Sequence, residues 1–167
     1  MVVYKECDIF DSGADVICHQ VNCQGVMGSG LAKQVREHYP SVYKEYKSWC
    51  NIYKPEELLG KSQFVPLVPI SEVANGNYQQ GGLMGIINVF GQLDYGYTGE
   101  CYTDYEALRH AFQNIRKFCK TFLYNPVIAF PYNFGCARGG GDWETVSAMI
   151  EDAFFDCLVF ICKCDKG

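Results

Sequence analysis

The sequence lacks a long apolar run, a surplus of basic charge and a paired-cysteine motif, and each absence closes a class of function. No stretch is long and apolar enough to span a bilayer, and the first ten residues carry Lys5, Glu6 and Asp8, unlike a secretory leader. A soluble, cytoplasmic protein is expected, with no membrane partner. Lys and Arg number 14 against 19 Asp and Glu, for a net charge of -5, which argues against broad electrostatic binding to a nucleic-acid backbone. An anionic ligand must then be held locally, by backbone amides or a single basic side chain. Ten cysteines would suggest a disulfide framework in a secreted protein, but no leader is evident and several lie in apolar runs. Cys18, Cys119 and Cys157 are expected as reduced, buried small hydrophobes. There is no CxxC pair, and Cys162-x-Cys164 stands alone, so neither a metal nor a cofactor is expected.

What is present is enough apolar material for one core. At 167 residues and 49% hydrophobic content the chain is expected to form a single domain over residues 1–167, without a linker. Strand-length apolar runs alternate with longer amphipathic segments, the order of an α/β fold with helices on both faces of a mostly parallel sheet. Strands are predicted at Val2 to Glu6, Asp15 to Val21, Ser62 to Val68, Met84 to Phe90, Val127 to Phe130 and Leu158 to Lys163. The best-defined helix follows Thr103, which has capping-box spacing with Glu106. Its apolar stripe is Leu108, Ala111, Phe112, Ile115, Phe118, Cys119 and Phe122. Further helices are predicted from near Ser29 to Tyr39, from Val42 to Cys50 after the interruption at Pro40, and from Asp142 to about Phe154. The Gly, Asn and Gln content of Ser71 to Gly82 reads as a surface loop.

Two segments carry the chemistry. His19 to Ala32 leaves an apolar strand and enters a helix through Gly25, Gly28 and Gly30. Pro131 to Trp143 repeats the arrangement with Gly135, Gly139, Gly140 and Gly141. Glycines allow close backbone approach to an anion, and helix N-terminal amides supply donors without a basic side chain. If both loops follow parallel strands they emerge at one carboxyl edge, where open α/β sheets bind ligands. Neither loop matches GxxxxGK[ST], nor GxGxxG with a suitably spaced acidic residue, which disfavours a P-loop NTPase or a Rossmann dinucleotide domain.

Taken together, Cys7-Asp8-Ile9, the segment His19 to Ala32 with Asn22, the segment Asn88 to Gln92, and Gly135 to Trp143 resemble the macrodomain family. The similarity is greatest to its bacterial, phage and fungal ADP-ribose-1''-phosphate phosphatase-like branch. It extends through Tyr39-Pro40, Leu58 to Lys61 and Thr103 to Tyr105, and so covers nearly the whole chain. It implies a three-layer α/β/α macrodomain with a central mixed, mostly parallel sheet, and a site for ADP-ribose. On the matching positions, Asp8 would accept from the adenine amino group and Ile9 would donate its amide. Asn22 would hold the distal ribose. Gly28, Ser29, Gly30 and Leu31 would wrap that ribose and a phosphate, and Asn133, Phe134, Gly135, Cys136, Ala137, Arg138, Gly139 and Gly140 would close over the diphosphate. His19 matches a histidine of the phosphatase-like members, a candidate acid/base.

The resemblance also has departures. Ala137 and Arg138 replace a common Gly-Leu, and Arg138 is in a position to reach a phosphate. The lysine and aspartate used by members that remove ADP-ribose from carboxylates fall at Gln92 and Gly139. The implied function is binding of ADP-ribose with hydrolysis of a derivative at the distal ribose. The candidate catalytic residues are His19, Asn22 and Asp142, and the alternative is a non-catalytic ADP-ribose reader. The expected partner is ADP-ribose or an ADP-ribosylated substrate, with nucleic acid only as such a substrate, and the protein is expected to be a monomer.

Each of these residues also has a plainer reading. Asp8 suits a turn, His19 a hydrogen-bonded core position, Asn22 a stabilised turn, Asp142 a helix N-cap and Arg138 a solvated loop. Cys23 and Cys136 have no base close in sequence but His19, which argues against a nucleophilic cysteine. Trp143 is expected to anchor the last helix on the sheet.

Overall fold

The computed structural model describes residues 1–69, 71–72 and 82–165, so most of the surface loop expected at Ser71 to Gly82 lies outside the described residues. Six strands form one sheet: β1 (Val2–Glu6), β2 (Val16–Asn22), β3 (Ser62–Pro66), β4 (Gly85–Gln92), β5 (Ile128–Pro131) and β6 (Val159–Lys163), in the order β1-β6-β5-β2-β4-β3. Every neighbouring pair is parallel except β3 against β4. The carboxyl ends of β1, β6, β5, β2 and β4 therefore share one edge. The predicted strands are all present, with ends displaced by no more than two residues. Asp15 sits just before β2 rather than in it, its Oδ2 accepting from the Val127 amide at 2.7 Å, which pins the starts of β2 and β5 together. β3 stops at Pro66, which has no N–H for the ladder and so suits the end of an edge strand.

Alternate residues of β2 face opposite sides, and the helices divide accordingly. Val16 and Cys18 pack with α4 (Tyr105–Phe122) and α5 (Trp143–Ala153). Ile17 and Val21 face α1 (Gly30–His38), α2 (Pro40–Ile52) and the single turn α3 (Pro55–Leu58). Leu108, Ala111, Phe112, Ile115 and Cys119 of the α4 stripe are buried. Burial of side chains of this size is worth about 1.5–3 kcal/mol each for the larger ones, which is ample reason for α4 to lie on the sheet.

Three expectations are corrected. The cap of α4 is Asp104, whose Oδ1 accepts from the Ala107 amide at 3.0 Å. Thr103 is instead committed to the segment after β5. Phe122 does not join the core: in the last turn of α4 it touches Phe118 but remains 59% exposed. Cys157 is half-buried rather than buried, because it lies in the turn after α5, where its thiol donates to Asp156. Trp143 begins α5 and packs its ring on Tyr132, as an anchor would.

Candidate functional site

A cavity of about 320 Å³ opens at the carboxyl edge, with His19 and Asn22 of β2 among its lining. One wall is Gly28 to Ala32, after β2, and the other is Pro131 to Gly135 with Ala137 to Gly139, after β5; Gln92, Tyr95 and Tyr97 line it as well. Two strands next to each other in the sheet thus deliver two glycine-rich loops to one space.

The first loop is shaped from beneath by α2. Tyr46 is fully buried, and its hydroxyl accepts from the Gly25 and Val26 amides at 3.0 and 3.1 Å. The same hydroxyl has Asn22 O and Oδ1 as acceptors at 2.8 and 2.9 Å. Asn22 closes the turn from the other side, donating from Nδ2 to Val26 O and accepting the Gln24 amide on Oδ1. Its structural reading is therefore satisfied in full, while it still lines the cavity. Beyond this clamp, Gly30 takes φ +60 at the start of α1 with no atom within 4 Å of where a Cβ would stand. The amides of Gly28, Ser29, Gly30 and Leu31 have no hydrogen-bond partner among the described residues. Free amides at the head of a nine-residue helix form an anion-binding surface.

The second loop is packed rather than clamped. Phe134 is buried against Phe112 and Phe130, fixing the loop to the core. Asn133, Gly135 and Gly140 have φ of 63, 71 and 70, the left-handed conformation. A Cβ on Gly139 would stand 2.5 Å from both Gly135 O and Thr103 Oγ1, and one on Gly140 2.4 Å from Glu100 O. These glycines are required by the protein's own packing, whatever they do for a ligand. Thr103 Oγ1 donates to Gly135 O at 2.6 Å and accepts from Gln20 Nε2 at 2.9 Å, and the Thr103 amide donates to Gly139 O. Gln20 Nε2 also reaches Gln92 Oε1 at 2.7 Å. The amides of Gly135, Ala137, Arg138 and Gly139 have no partner among the described residues. Arg138 lays its guanidinium over the Tyr97 ring, 4.5 Å from the centroid, and is the one Arg or Lys among the described residues that lines the cavity.

His19 is buried on β2 opposite Asn88 of β4, with Nε2 2.5 Å from Asn88 Oδ1. Burial pushes its pKa down from 6.5 to about 4, against a smaller opposing effect of the Asn88 bond, so the ring is neutral at neutral pH. Burial also pushes the thiols of Cys23 and Cys136 up, to about 12 and about 11, and Cys136 donates to Phe134 O. Neither is an activated nucleophile.

Not every expected residue reaches the cavity. Asp8 and Ile9 lie on the same sheet edge, just after β1, but outside the lining. Asp8 accepts the Phe10 amide at 3.0 Å as the cap of a short 3-10 turn, Ile9–Asp11. Cys136 and Gly140 are in the second loop but do not line the cavity. Asp142 is also outside it. Its Oδ2 accepts from the Thr145 amide and hydroxyl, which hold its carboxyl below the usual range, as a helix N-cap.

Sequence reasoning missed Gln20, Tyr46, Tyr95, Tyr97 and Tyr132. The available signals were a glutamine inside an apolar strand and two tyrosines in the glycine-containing stretch after β4. Among the described residues no group of three His, Cys, Asp or Glu is placed to hold a metal ion, and no helix is long and apolar enough to cross a membrane.

No protein-family model matches the chain. The chain is similar to the DNA ADP-ribosyl glycohydrolase of Mycobacterium tuberculosis, 33% identical over 61 residues, which are 36% of this chain and 17% of that protein. It is also similar to the ADP-ribose 1''-phosphate phosphatase of Scheffersomyces stipitis, 42% identical over 57 residues, 33% of each. The matched stretches thus span a third or less of these relatives. Solved structures match over nearly the whole chain. The macrodomain of Mycobacterium tuberculosis DarG aligns with TM-score 0.75 at 23% identity, over 98% of this chain and 97% of that one. Thermosipho africanus DarTG in complex with ADP-ribose aligns with TM-score 0.76 at 21% identity, over 97% of this chain and 41% of that one. With its sheet order, its helices on both faces and its paired glycine loops at one edge, the chain has the macrodomain fold.

Proposed function

We propose that the cavity binds ADP-ribose and that the protein hydrolyses an ADP-ribose derivative at the distal ribose, a 1''-phosphate, an acetyl ester, or a protein or nucleobase linkage. The observation that carries this reading is the pair of unpartnered amide runs, Gly28 to Leu31 and Gly135 with Ala137 to Gly139, lining one cavity of about 320 Å³. In an acidic protein such amides are the local means of holding a diphosphate, with Arg138 adding one charge. The names of the relatives, a DNA ADP-ribosyl glycohydrolase and an ADP-ribose 1''-phosphate phosphatase, support the same choice of ligand. In this reading Asn22 and the first loop place the distal ribose, and Asp8 and Ile9 hold the adenine farther along the sheet edge. The second loop covers the diphosphate. The bond between ribose and leaving group is then cleaved by water, which supplies a hydroxyl to one fragment and a proton to the other. His19 serves as a hydrogen-bond acceptor, while orientation and the fixed amide dipoles supply most of the acceleration. The unit at work is taken to be a monomeric single domain in the cytoplasm.

Calorimetric titration with ADP-ribose, with AMP and NAD as controls, tests the binding. Micromolar affinity, at least tenfold weaker in Asn22→Ala, is expected. Failure of ADP-ribose to bind would overturn the reading. Hydrolysis screens over the four linkages then separate an enzyme from a reader, which binds and releases its ligand unchanged.

A further inference from the structure

A line of buried polar groups runs away from the cavity beneath the sheet's helical cover. His19, Asn88 and Gln63 are 1%, 0% and 3% exposed, and they stand side by side on β2, β4 and β3 in the register of the sheet. Gln63 Nε2 donates to the backbone carbonyl of Glu45 on α2 at 2.9 Å, Asn88 Nδ2 to Gln63 Oε1 at 3.0 Å, and Asn88 Oδ1 faces His19 Nε2.

Chemistry alone fixes the direction of this chain. A backbone carbonyl only accepts, so Gln63 must turn its NH₂ to Glu45 and its oxygen to Asn88. Asn88 must then turn its NH₂ to Gln63 and its oxygen to His19. An amide oxygen also only accepts, so the proton between Asn88 and His19 belongs to Nε2. In a neutral imidazole the other nitrogen, Nδ1, then carries the lone pair. Nδ1 is buried and has no partner among the described residues, and His19 lines the cavity.

We propose that Asn88, Gln63 and the Glu45 carbonyl form a positioning relay that locks His19 as the Nε2–H tautomer and reserves Nδ1 as an acceptor for a hydroxyl of the bound ligand or a water it carries. Asn88 and Gln63 are positioning residues, since they act through His19. The acceptor role rests on the ADP-ribose reading, whereas the tautomer lock rests on the protein alone.

The test is long-range ¹H–¹⁵N correlation of the histidine rings in the intact protein at neutral pH. The rings of His38 and His110 are assigned by single substitution to Gln. The expected result is one His19 tautomer, protonated at Nε2 and unprotonated at Nδ1. A ring protonated at Nδ1, or a mixture of the two forms, would overturn the lock. In Gln63→Leu the anchor is removed, Asn88 is free to turn over, and a second His19 tautomer is expected. A folded Gln63→Leu that keeps the single tautomer would assign the lock to something else. Should that variant not fold, the unsubstituted protein still decides. Titration with ADP-ribose, with binding followed by calorimetry, is expected to move the Nδ1 resonance and not that of Nε2. Binding without a change at Nδ1 would overturn the acceptor role and leave the ADP-ribose site standing, while absence of binding would fail that site and leave the tautomer lock to be judged on its own spectrum.

Discussion

The two glycine-rich loops serve one cavity but are built in opposite ways. The first, after β2, is held from below by one hydroxyl: Tyr46 takes the Gly25 and Val26 amides and reaches Asn22, and past that clamp Gly28 and Gly30 stand over open or nearly open space. The second, after β5, is pressed onto Gln20, Glu100 and Thr103 so closely that a Cβ on Gly135, Gly139 or Gly140 would fall within 3 Å of another atom. Similar composition thus has two causes. In the first loop, glycine leaves room for a ligand and permits the left-handed turn at Gly30. In the second, glycine lets the loop dock on its own protein, and its exposed amides follow from that docking.

That contrast can be broken at specific points. The largest effect is expected from acid, at the root of the first loop. The His19 pKa is held at about 4 in the folded chain instead of 6.5, so between those values the unfolded chain takes up a proton that the folded one does not. Stability is full above pH 6.5 and falls as pH drops, by about 3 kcal/mol at pH 4. Chemical denaturation against pH, compared between the protein and His19→Gln, measures this term as the difference between the two curves.

Tyr46→Phe follows, since it strands one buried and one part-buried loop amide and frees Asn22. A loss of about 2–3 kcal/mol is expected by denaturant titration, together with weaker ADP-ribose binding because the first loop loses its shape. Gly139→Ala is expected to cost about 2 kcal/mol through overpacking against Gly135 and Thr103, with the loss visible before any ligand is added. Gly28→Ala is the counterpart and should have the smallest effect on folding, under about 0.5 kcal/mol, because the nearest atom to its Cβ is Val26 Cγ1 at 3.6 Å. Its signature is instead a loss of affinity in calorimetry. Equal folding costs for Gly28→Ala and Gly139→Ala would refute the contrast between the loops.

Much of the fold was legible because it depends on near neighbours in sequence. All six strands, the four longer helices and the strand-loop-helix character of both glycine segments follow from periodicity and turn residues. Errors fell where a local signal had a distant competitor. Thr103 has cap spacing, yet its hydroxyl is taken by Gly135, 32 residues away, and Asp104 caps the helix instead. The tyrosines of the cavity rim were passed over because nothing local distinguishes a tyrosine beside a ligand site from one in any surface turn.

By itself the sequence determined the acidic net charge, and within a few residues at a time the alternation of strands and helices and the two glycine-rich turns. Only the tertiary structure decided which loop is clamped and which is packed, that Gln20 supports a loop it precedes by more than a hundred residues, and which nitrogen of His19 is left for a ligand. Those outcomes depend on hydrogen bonds between groups 18 to 83 residues apart, and a buried donor or acceptor finds its partner only once the tertiary fold has placed the elements side by side.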